Sequence, residues 1–249
     1  MKSYNYYNAV NEWAKVLPDR LAFCHWGGRR QSSRLIKKLE LKTKERVLDI
    51  CCGLCGTLSM INQDVILYGL DISPDATNGA RDYLRQYGTT KVKLVNGNAF
   101  AMPFSDNYFD KLFAQDPDSF LSSRKEEMMR EIARVTKRGA TFLLQTYAST
   151  SELIARDRKE IDRMLGGLGY NNTETIELEK VEHLFSRANF NIDQIESLHN
   201  IYSKDNLKMI KLAKERKVSK KILELLEFER YLFEKKAWTG IFVKSIRGI

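Results

Sequence analysis

The sequence predicts an α/β fold: a mostly parallel sheet of seven strands with helices on both faces and a helical cap. Three observations carry that prediction. The stretch Arg46-Val-Leu-Asp-Ile-Cys-Cys-Gly-Leu-Cys-Gly-Thr57 reads as a short buried strand that breaks into a tight loop of small residues. A second apolar run, residues 65–70, follows and ends in Asp71. Strand, small-residue loop, helix, strand and then an acid roughly 20 residues on is the half-fold that holds nucleotide-like ligands. Beyond it, apolar strand-length runs keep alternating with stretches of helical period, as helices covering a parallel sheet require.

Each element follows from local chemistry. Tyr4, Tyr6, Tyr7, Val10, Trp13, Val16 and Leu17 give the N-terminus a helix-like spacing that Pro18 ends, and this segment is expected to close over the cofactor pocket as a lid. Residues 31–41 read as an amphipathic helix. In the first strand Val47, Leu48 and Ile50 suit a position covered on both faces, but Asp49 does not, and its carboxylate is expected to find the backbone amides of the loop just beyond. Cys51, Cys52, Gly53, Cys55 and Gly56 then leave a loop with little bulk, which a ligand can approach closely. After Asp71, Ser73 is the expected N-cap and Pro74 the first helical residue of a helix that stops at Gly88.

Residues 91–95 form a third strand and 111–114 a fourth, which runs out into Gln115-Asp116-Pro-Asp118. The carboxyl end of a central strand is where open α/β sheets bind ligands, although an N-cap for the next helix is the alternative role for Asp116 or Asp118. A helix over 125–136 is expected to stop at Lys137-Arg-Gly139, and a fifth strand over 141–147 to end with Tyr147 near the pocket. Residues 149–179 turn polar and irregular, with Gly166-Gly-Leu-Gly169 as a turn. A helix over 182–188 and a strand over 190–195 follow. Residues 204–236 carry an apolar helical stripe, and 239–245 close the chain as a strand antiparallel to the one before it.

Length and composition bound the rest. A chain of 249 residues suits a single domain, 1–249, with a cap from about 1–30, 149–180 and 203–236. No apolar run is long enough to span a membrane and the N-terminus lacks a signal-like apolar core, so the expectation is a soluble, cytoplasmic protein. Of the four cysteines, three lie within 51–55, which excludes a secreted disulfide framework. Cys51, Cys52 and Cys55 have no second ligand pair, so no metal is expected and they read as small loop residues. The formal charge of +9 gathers in residues 1–46 and 204–221. Such a field can draw an anionic substrate, a nucleic acid or a membrane surface, and the alternative for 204–221 is a solvated helix face.

The loop resembles the cofactor loop of class I S-adenosylmethionine-dependent methyltransferases, a family with a Rossmann-like fold and an acid-x-Gly-x-Gly-x-Gly pattern. Gly53 and Gly56 are kept, Cys51 and Cys55 stand where the family usually has glycine, and Asp71 matches the ribose-binding acid. Met102-Pro-Phe-Ser-Asp-Asn-Tyr-Phe-Asp110 resembles a second family signature, and Arg134-Val-Thr-Lys-Arg-Gly139 a third. His25-Trp-Gly27 and Gln115-Asp116 are similar to segments of small-molecule members, glycine-, sarcosine- and ubiquinone-type enzymes among them. The resemblance implies S-adenosylmethionine as cofactor, with S-adenosylhomocysteine as product. It places Trp26, Gly27, Asp49, Cys51, Gly53, Asp71, Ile72, Asn98, Ala99 and Gln115 at that cofactor, Asn98 standing where the family has an aspartate for the adenine amine.

The implied activity is methyl transfer to a nitrogen or oxygen of a small molecule. His25, Gln115 and Asp116 are the catalytic candidates: His25 or Asp116 to take a proton, Gln115 to fix the acceptor. The alternative for His25 is a packed core residue. Tyr6, Tyr7 and Tyr147 are candidates for substrate binding, with ordinary packing or surface exposure as the alternative for Gln115, Tyr6 and Tyr7. Two rival readings stay open: an RNA methyltransferase using the basic segments, and a non-catalytic S-adenosylmethionine-binding protein. A homodimer is compatible with the sequence.

Overall fold

The computed structural model describes residues 21–87, 91–117, 123–166 and 174–248. The N-terminal lid, Tyr6, Tyr7, Asp118 and the turn over 167–169 lie outside these residues. A 3-10 turn, Leu21–Phe23, leads into helix α1, Gly28–Leu39. There follow β1 (Arg46–Ile50), the single-turn helix α2 (Gly56–Ser59), β2 (Ile66–Asp71), α3 (Pro74–Gln86), β3 (Val92–Asn96) and β4 (Phe109–Gln115). Helix α4 (Lys125–Val135) passes directly into the long strand β5 (Thr136–Ser149). The remainder comprises α5 (Ala155–Gly166), the two-residue strand β6 (Ile176–Glu177), α6 (Val181–Arg187), β7 (Phe190–Ser197), α7 (His199–Glu215), α8 (Lys220–Glu234) and β8 (Trp238–Arg247).

The sheet runs β3-β2-β1-β4-β5-β8-β7. Strands β1 to β5 are mutually parallel, and β8 inserts antiparallel between β5 and β7. The seven expected strands are therefore present and mostly parallel, with the last two antiparallel as the sequence suggests. An eighth, β6, was not foreseen: it pairs with Ala148 and Ser149, the stretch of β5 that extends past its last pairing with β4 at Gln115. Two residues are too short a run to show a hydrophobic period.

Other boundaries move for identifiable reasons. The expected stop at Lys137-Arg-Gly139 is instead the start of β5, because Thr136 pairs with Phe109 across an irregular register. Arg124 is the N-cap of α4, with its side chain turned to Glu127 and making no capping bond, so Asp116 does not cap that helix. Ser73 does cap α3, accepting the Ala76 N–H at 3.2 Å, with Pro74 at its first position.

Alternation along the strands splits the core between the two faces of the sheet. Val47, Leu67, Phe113 and Leu143 pack with α1 and with Trp26, Tyr202, Phe233 and Trp238 on one face. Leu48, Ile50, Leu70, Leu112 and Phe142 pack with Met128, Met129 and Phe185 on the other. The strand order reverses between β1 and β4, and ligands of such sheets lie beyond the carboxyl ends of the strands at that reversal.

Candidate active site

The first half of the site is the loop after β1. Cys51 and Cys55, at φ 60° and 61°, both adopt the left-handed backbone that glycine takes freely, which accounts for the glycines at these places in the pattern they depart from. A cysteine is small enough to be retained there, and the thiols have a use. A Cβ on Gly69 of β2 would lie 2.9 Å from both the Cys52 and Cys55 Sγ atoms, so the two thiols fill the space that a bare glycine leaves on the sheet. The Cys55 thiol bonds to Cys52, and this with burial pushes the Cys52 thiol well up, so the Cys52 thiol is inert packing. Among the described residues, no group of three or more His, Cys, Asp or Glu could hold a metal ion.

Asp49 departs from expectation. It is buried, yet no described residue donates a hydrogen bond to its carboxylate. The loop amide expected for it goes to the neighbouring acid, because Gly53 N–H points to Asp71 Oδ2 at 2.9 Å while Ser73 N–H reaches Asp71 Oδ1 at 2.9 Å. Burial, and then the Asp71 charge, hold the Asp49 carboxyl well above the usual carboxylate range. Asp71 is pushed up less: its burial is partly offset by the amides of Ser73, Gly53 and Ile72.

These residues fit the nucleoside end of a cofactor. A carboxylate with one of these amides on each oxygen keeps acceptor capacity on both for a pair of ribose hydroxyls. Ile72, next to it, is an exposed apolar side chain at 57%, a flat surface for a purine. Asn98 Oδ1 accepts the Phe100 N–H at 3.0 Å and retains one lone pair for an adenine amine, and Ala99 is buried beside it.

The second half of the site is assembled from distant segments. Asp116, at φ 46°, projects from the end of β4 and gathers three donors among the described residues. Trp26 N–H and Gln145 Nε2 reach its Oδ2 at 2.8 and 3.2 Å, and the Tyr202 hydroxyl of α7 donates to Oδ1. The Tyr202 ring lies against Gly240 of β8, where a Cβ would come within 2.5 Å of it, so only glycine admits this close approach. Trp26 stacks on Tyr202 with ring centroids 5.6 Å apart and meets Tyr147 and Phe233 edge-on. Gly27 N–H donates to Asp205 Oδ2 of α7 at 2.6 Å. Trp26 and Gly27, expected at the cofactor, thus commit the indole and both amides to protein contacts.

Tyr147 is likewise engaged. Its hydroxyl accepts from Trp26 Nε1 and donates to Glu229 Oε1 of α8 at 3.3 Å. Burial, with the charges of Glu229 and Asp116 nearby, pushes its phenol well up. Burial pushes the Glu229 carboxyl up to about 8, partly opposed by bonds from Tyr147 and Asn206.

His25 and Gln115 meet at the seam between the two halves. His25 Nε2 is 2.9 Å from Ser32 Oγ, Ser32 Oγ is 2.7 Å from Thr57 Oγ1, and Thr57 donates to Gln115 Oε1 at 2.7 Å. Gln115 Nε2 then lies 3.4 Å from His25 Nδ1 and donates to Gln145 Oε1 at 3.2 Å. The sequence reading missed Ser32, Thr57, Gln145, Tyr202, Asp205 and Glu229. One signal was available: Gln145 interrupts the apolar run Phe142-Leu-Leu, and Asp205 and Glu229 fall among the buried positions of α7 and α8.

With this geometry established, comparison with known proteins is decisive on family. A model of the methyltransferase domain matches residues 41–188. The chain belongs to the methyltransferase domain family. The methyl donor of that family is S-adenosylmethionine. Among curated proteins, the demethylmenaquinone methyltransferase of Geobacillus kaustophilus (strain HTA426) is 29% identical over 126 residues, 47% of this chain and 51% of that protein. The 24-methylenesterol C-methyltransferase 2 of Arabidopsis thaliana is 27% identical over 131 residues, 51% of this chain and 36% of that protein. The chain thus spans about half the length, or less, of these curated relatives. Among solved structures, the phosphoethanolamine N-methyltransferase 2 of Haemonchus contortus, in complex with phosphomonomethylethanolamine and S-adenosylhomocysteine, superposes with a TM-score of 0.83. That match has 17% identity and covers 100% of this chain and 59% of the other, so it establishes the fold.

Proposed function

We propose that this protein transfers the methyl group of S-adenosylmethionine to a small-molecule acceptor, and that the acceptor atom is an amine nitrogen. The observation that carries the choice of nitrogen is the gathering of Asp116, Asp205 and Glu229 with Trp26, Tyr147 and Tyr202 beside the carboxyl ends of β4 and β5. The Asp116 and Asp205 carboxylates among these aromatic faces suit a basic, cationic group and repel an anion, while Glu229, its carboxyl raised to about 8, is largely neutral at pH 7. An anionic acceptor group would have to lie away from these acids.

When bound, S-adenosylmethionine supplies a methyl group already activated by its sulfonium, so the protein's own work is to bind, orient and deprotonate. Asp71 and Asn98 would hold ribose and adenine, and the spare loop 51–56 would lie along the methionine part. Gln115 would orient the acceptor, and His25 would take its proton, since an ammonium has no lone pair to offer. The pair α7–α8, as a cap, would exclude water. Asp116 has its oxygens engaged by three donors, which makes it the anchor of the Trp26 turn and not the base. An RNA acceptor gains no support from residues 204–221: Lys208, Lys211, Lys214 and Lys220 face Asp205, Glu215, Glu227 and Glu224 within 4 Å, as on a solvated helix face.

A carbon acceptor is the second reading, favoured by the C-methyltransferase of Arabidopsis thaliana among the sequence relatives. Calorimetric titration with S-adenosylmethionine, followed by labelled-methyl transfer to panels of amines, phenols and prenylated quinones, separates these readings. Micromolar cofactor binding, weakened by Asp71→Ala roughly 100-fold or more as expected for loss of a charged acceptor, and transfer to amines are the expected results. Transfer confined to carbon or oxygen acceptors rejects nitrogen, and cofactor binding with no transfer to any panel would make the protein a binder only.

A further inference from the structure

The four side chains His25, Ser32, Thr57 and Gln115 close a ring of hydrogen bonds, and the direction of every bond in it can be deduced. Gln145 Nε2 lies 2.9 Å from the carbonyl oxygen of Trp26, which can only accept, so that atom is the amide nitrogen and Gln145 Oε1 is an acceptor. The Gln115 atom 3.2 Å from Gln145 Oε1 must therefore donate, which makes the opposite Gln115 atom the oxygen that takes the Thr57 hydroxyl proton. Thr57 has one proton and has spent it, so Ser32 donates to Thr57. Ser32 has then spent its own, so His25 Nε2 must donate to Ser32. Ser32 and Thr57 are both buried, with no share of bulk water to replace these partners.

The consequence falls on the other ring nitrogen. With Nε2 carrying the proton, neutral His25 has no proton on Nδ1, and the donor that Nδ1 meets within the ring is Gln115 Nε2 at 3.4 Å, the weakest link of the ring. The same Nδ1 is 3.3 Å from the Trp26 carbonyl oxygen. A proton arriving at Nδ1 thus finds an acceptor already in place, and Gln115 keeps its bond to Gln145. Both protonation states of the imidazole are accommodated without rotating the ring.

We propose that Ser32 and Thr57 are positioning residues that hold His25 as its Nε2–H tautomer and so make Nδ1 the atom that accepts the acceptor's proton. The second part rests on the methyl-transfer reading above; the first does not. In the proton step an N–H bond of the acceptor breaks and its electron pair stays on the nitrogen. An Nδ1–H bond forms, and the imidazole takes the positive charge until it releases the proton to water.

Long-range proton–nitrogen NMR of the histidine rings tests the first part on the full chain without any ligand. The chain has three histidines, so the His25→Asn spectrum assigns the signal by difference. The expected parent signal is a protonated Nε2 and a bare Nδ1. Thr57→Ser keeps that signature, while the near-isosteric Thr57→Val, and Ser32→Ala, replace it with averaged nitrogens of a tautomer mixture. A parent His25 protonated on Nδ1, or a Thr57→Val spectrum identical to the parent's, overturns the proposal. The second part is read from pH–rate profiles. Thr57→Val is expected to lower kcat about 10-fold and displace the His25 limb, with KM for the cofactor within about twofold and Thr57→Ser restoring both. A change confined to KM overturns it. A parent that methylates no acceptor also overturns the second part, together with the methyl-transfer reading, while the NMR result still decides the tautomer.

Discussion

The two halves of the site are built in opposite ways. On the cofactor side the decisive contacts are short in sequence: Gly53 to Asp71 spans 18 residues, Ser73 to Asp71 two, and Asn98 to Phe100 two. On the acceptor side Trp26 and Asp116 are 90 residues apart, Tyr202 and Asp116 86, and Gly27 and Asp205 178. The first half is a strand–loop–strand unit whose geometry follows from its own residues. The second exists only once α7 and α8 pack against the Trp26 turn, and it concentrates buried acids that the first half lacks except for Asp49. The cofactor half is thus a local device and the acceptor half a cooperative one, and changes aimed at each should separate them.

The largest expected effect lies in the acceptor half and is a pH dependence. The Glu229 carboxyl is raised from 4.5 to about 8, so the native state holds this proton more tightly than the unfolded chain does. Its contribution to stability is fully present below the ordinary carboxylate range and is lost as the pH rises through about 8. At about 1.4 kcal/mol per tenfold change in proton affinity, the loss across that window approaches roughly 5 kcal/mol. Asp49 is raised by burial as well and contributes a slope of the same sign, while Tyr147 and Tyr202 are pushed above the window. The measurement is therefore a difference: urea unfolding of the parent and of Glu229→Gln across this pH range, with the variant keeping only the shallower slope. Equal slopes would show that Glu229 titrates normally and that the acceptor half is wetter than its packing implies.

Next in size is Asp116→Asn. The shape is preserved, but one amide oxygen cannot serve donors on both sides, so either Tyr202 or the Trp26–Gln145 pair is left facing an N–H group. A loss of about 3 kcal/mol in unfolding free energy is expected, with cofactor affinity within about threefold of the parent. If affinity fell in step with stability, the two halves would not be separable.

The same contrast explains what could be read from the chain. Strands β1 to β5, the Ser73 cap and Asp71 were legible because apolar period, capping and turn chemistry are properties of neighbouring residues. The partner of Asp49 was not, because two acids compete for one loop amide and the winner depends on how β1 and β2 register, with Asp49 opposite Gly69 and Asp71 two residues further along β2. Asp116 was legible as a residue at the end of a central strand but not as a hub, since its donors come from three segments. Glu229 and Asp205 look like ordinary charges of an amphipathic helix until the helix is docked.

The smallest effects return to the cofactor loop, where Cys51 and Cys55 share one backbone conformation but differ in burial. Left-handed backbone costs a non-glycine residue about 1–2 kcal/mol. Glycine removes that strain and returns part of it, about 0.5–1 kcal/mol, through the greater freedom of its unfolded chain. Cys51 is only half-buried, so Cys51→Gly should stabilise the protein by up to about 1 kcal/mol. Cys55 is fully buried with its thiol on Gly69, so Cys55→Gly opens a void and should destabilise by about 1–2 kcal/mol despite the same relief. Urea midpoints of the two variants read the sign directly. Opposite signs would mean that the backbone of this loop tolerates cysteine and that packing on β2 keeps it at position 55. Two stabilised variants would mean that the Cys55 thiol contributes little packing, and that the loop would be better served by glycine at both places.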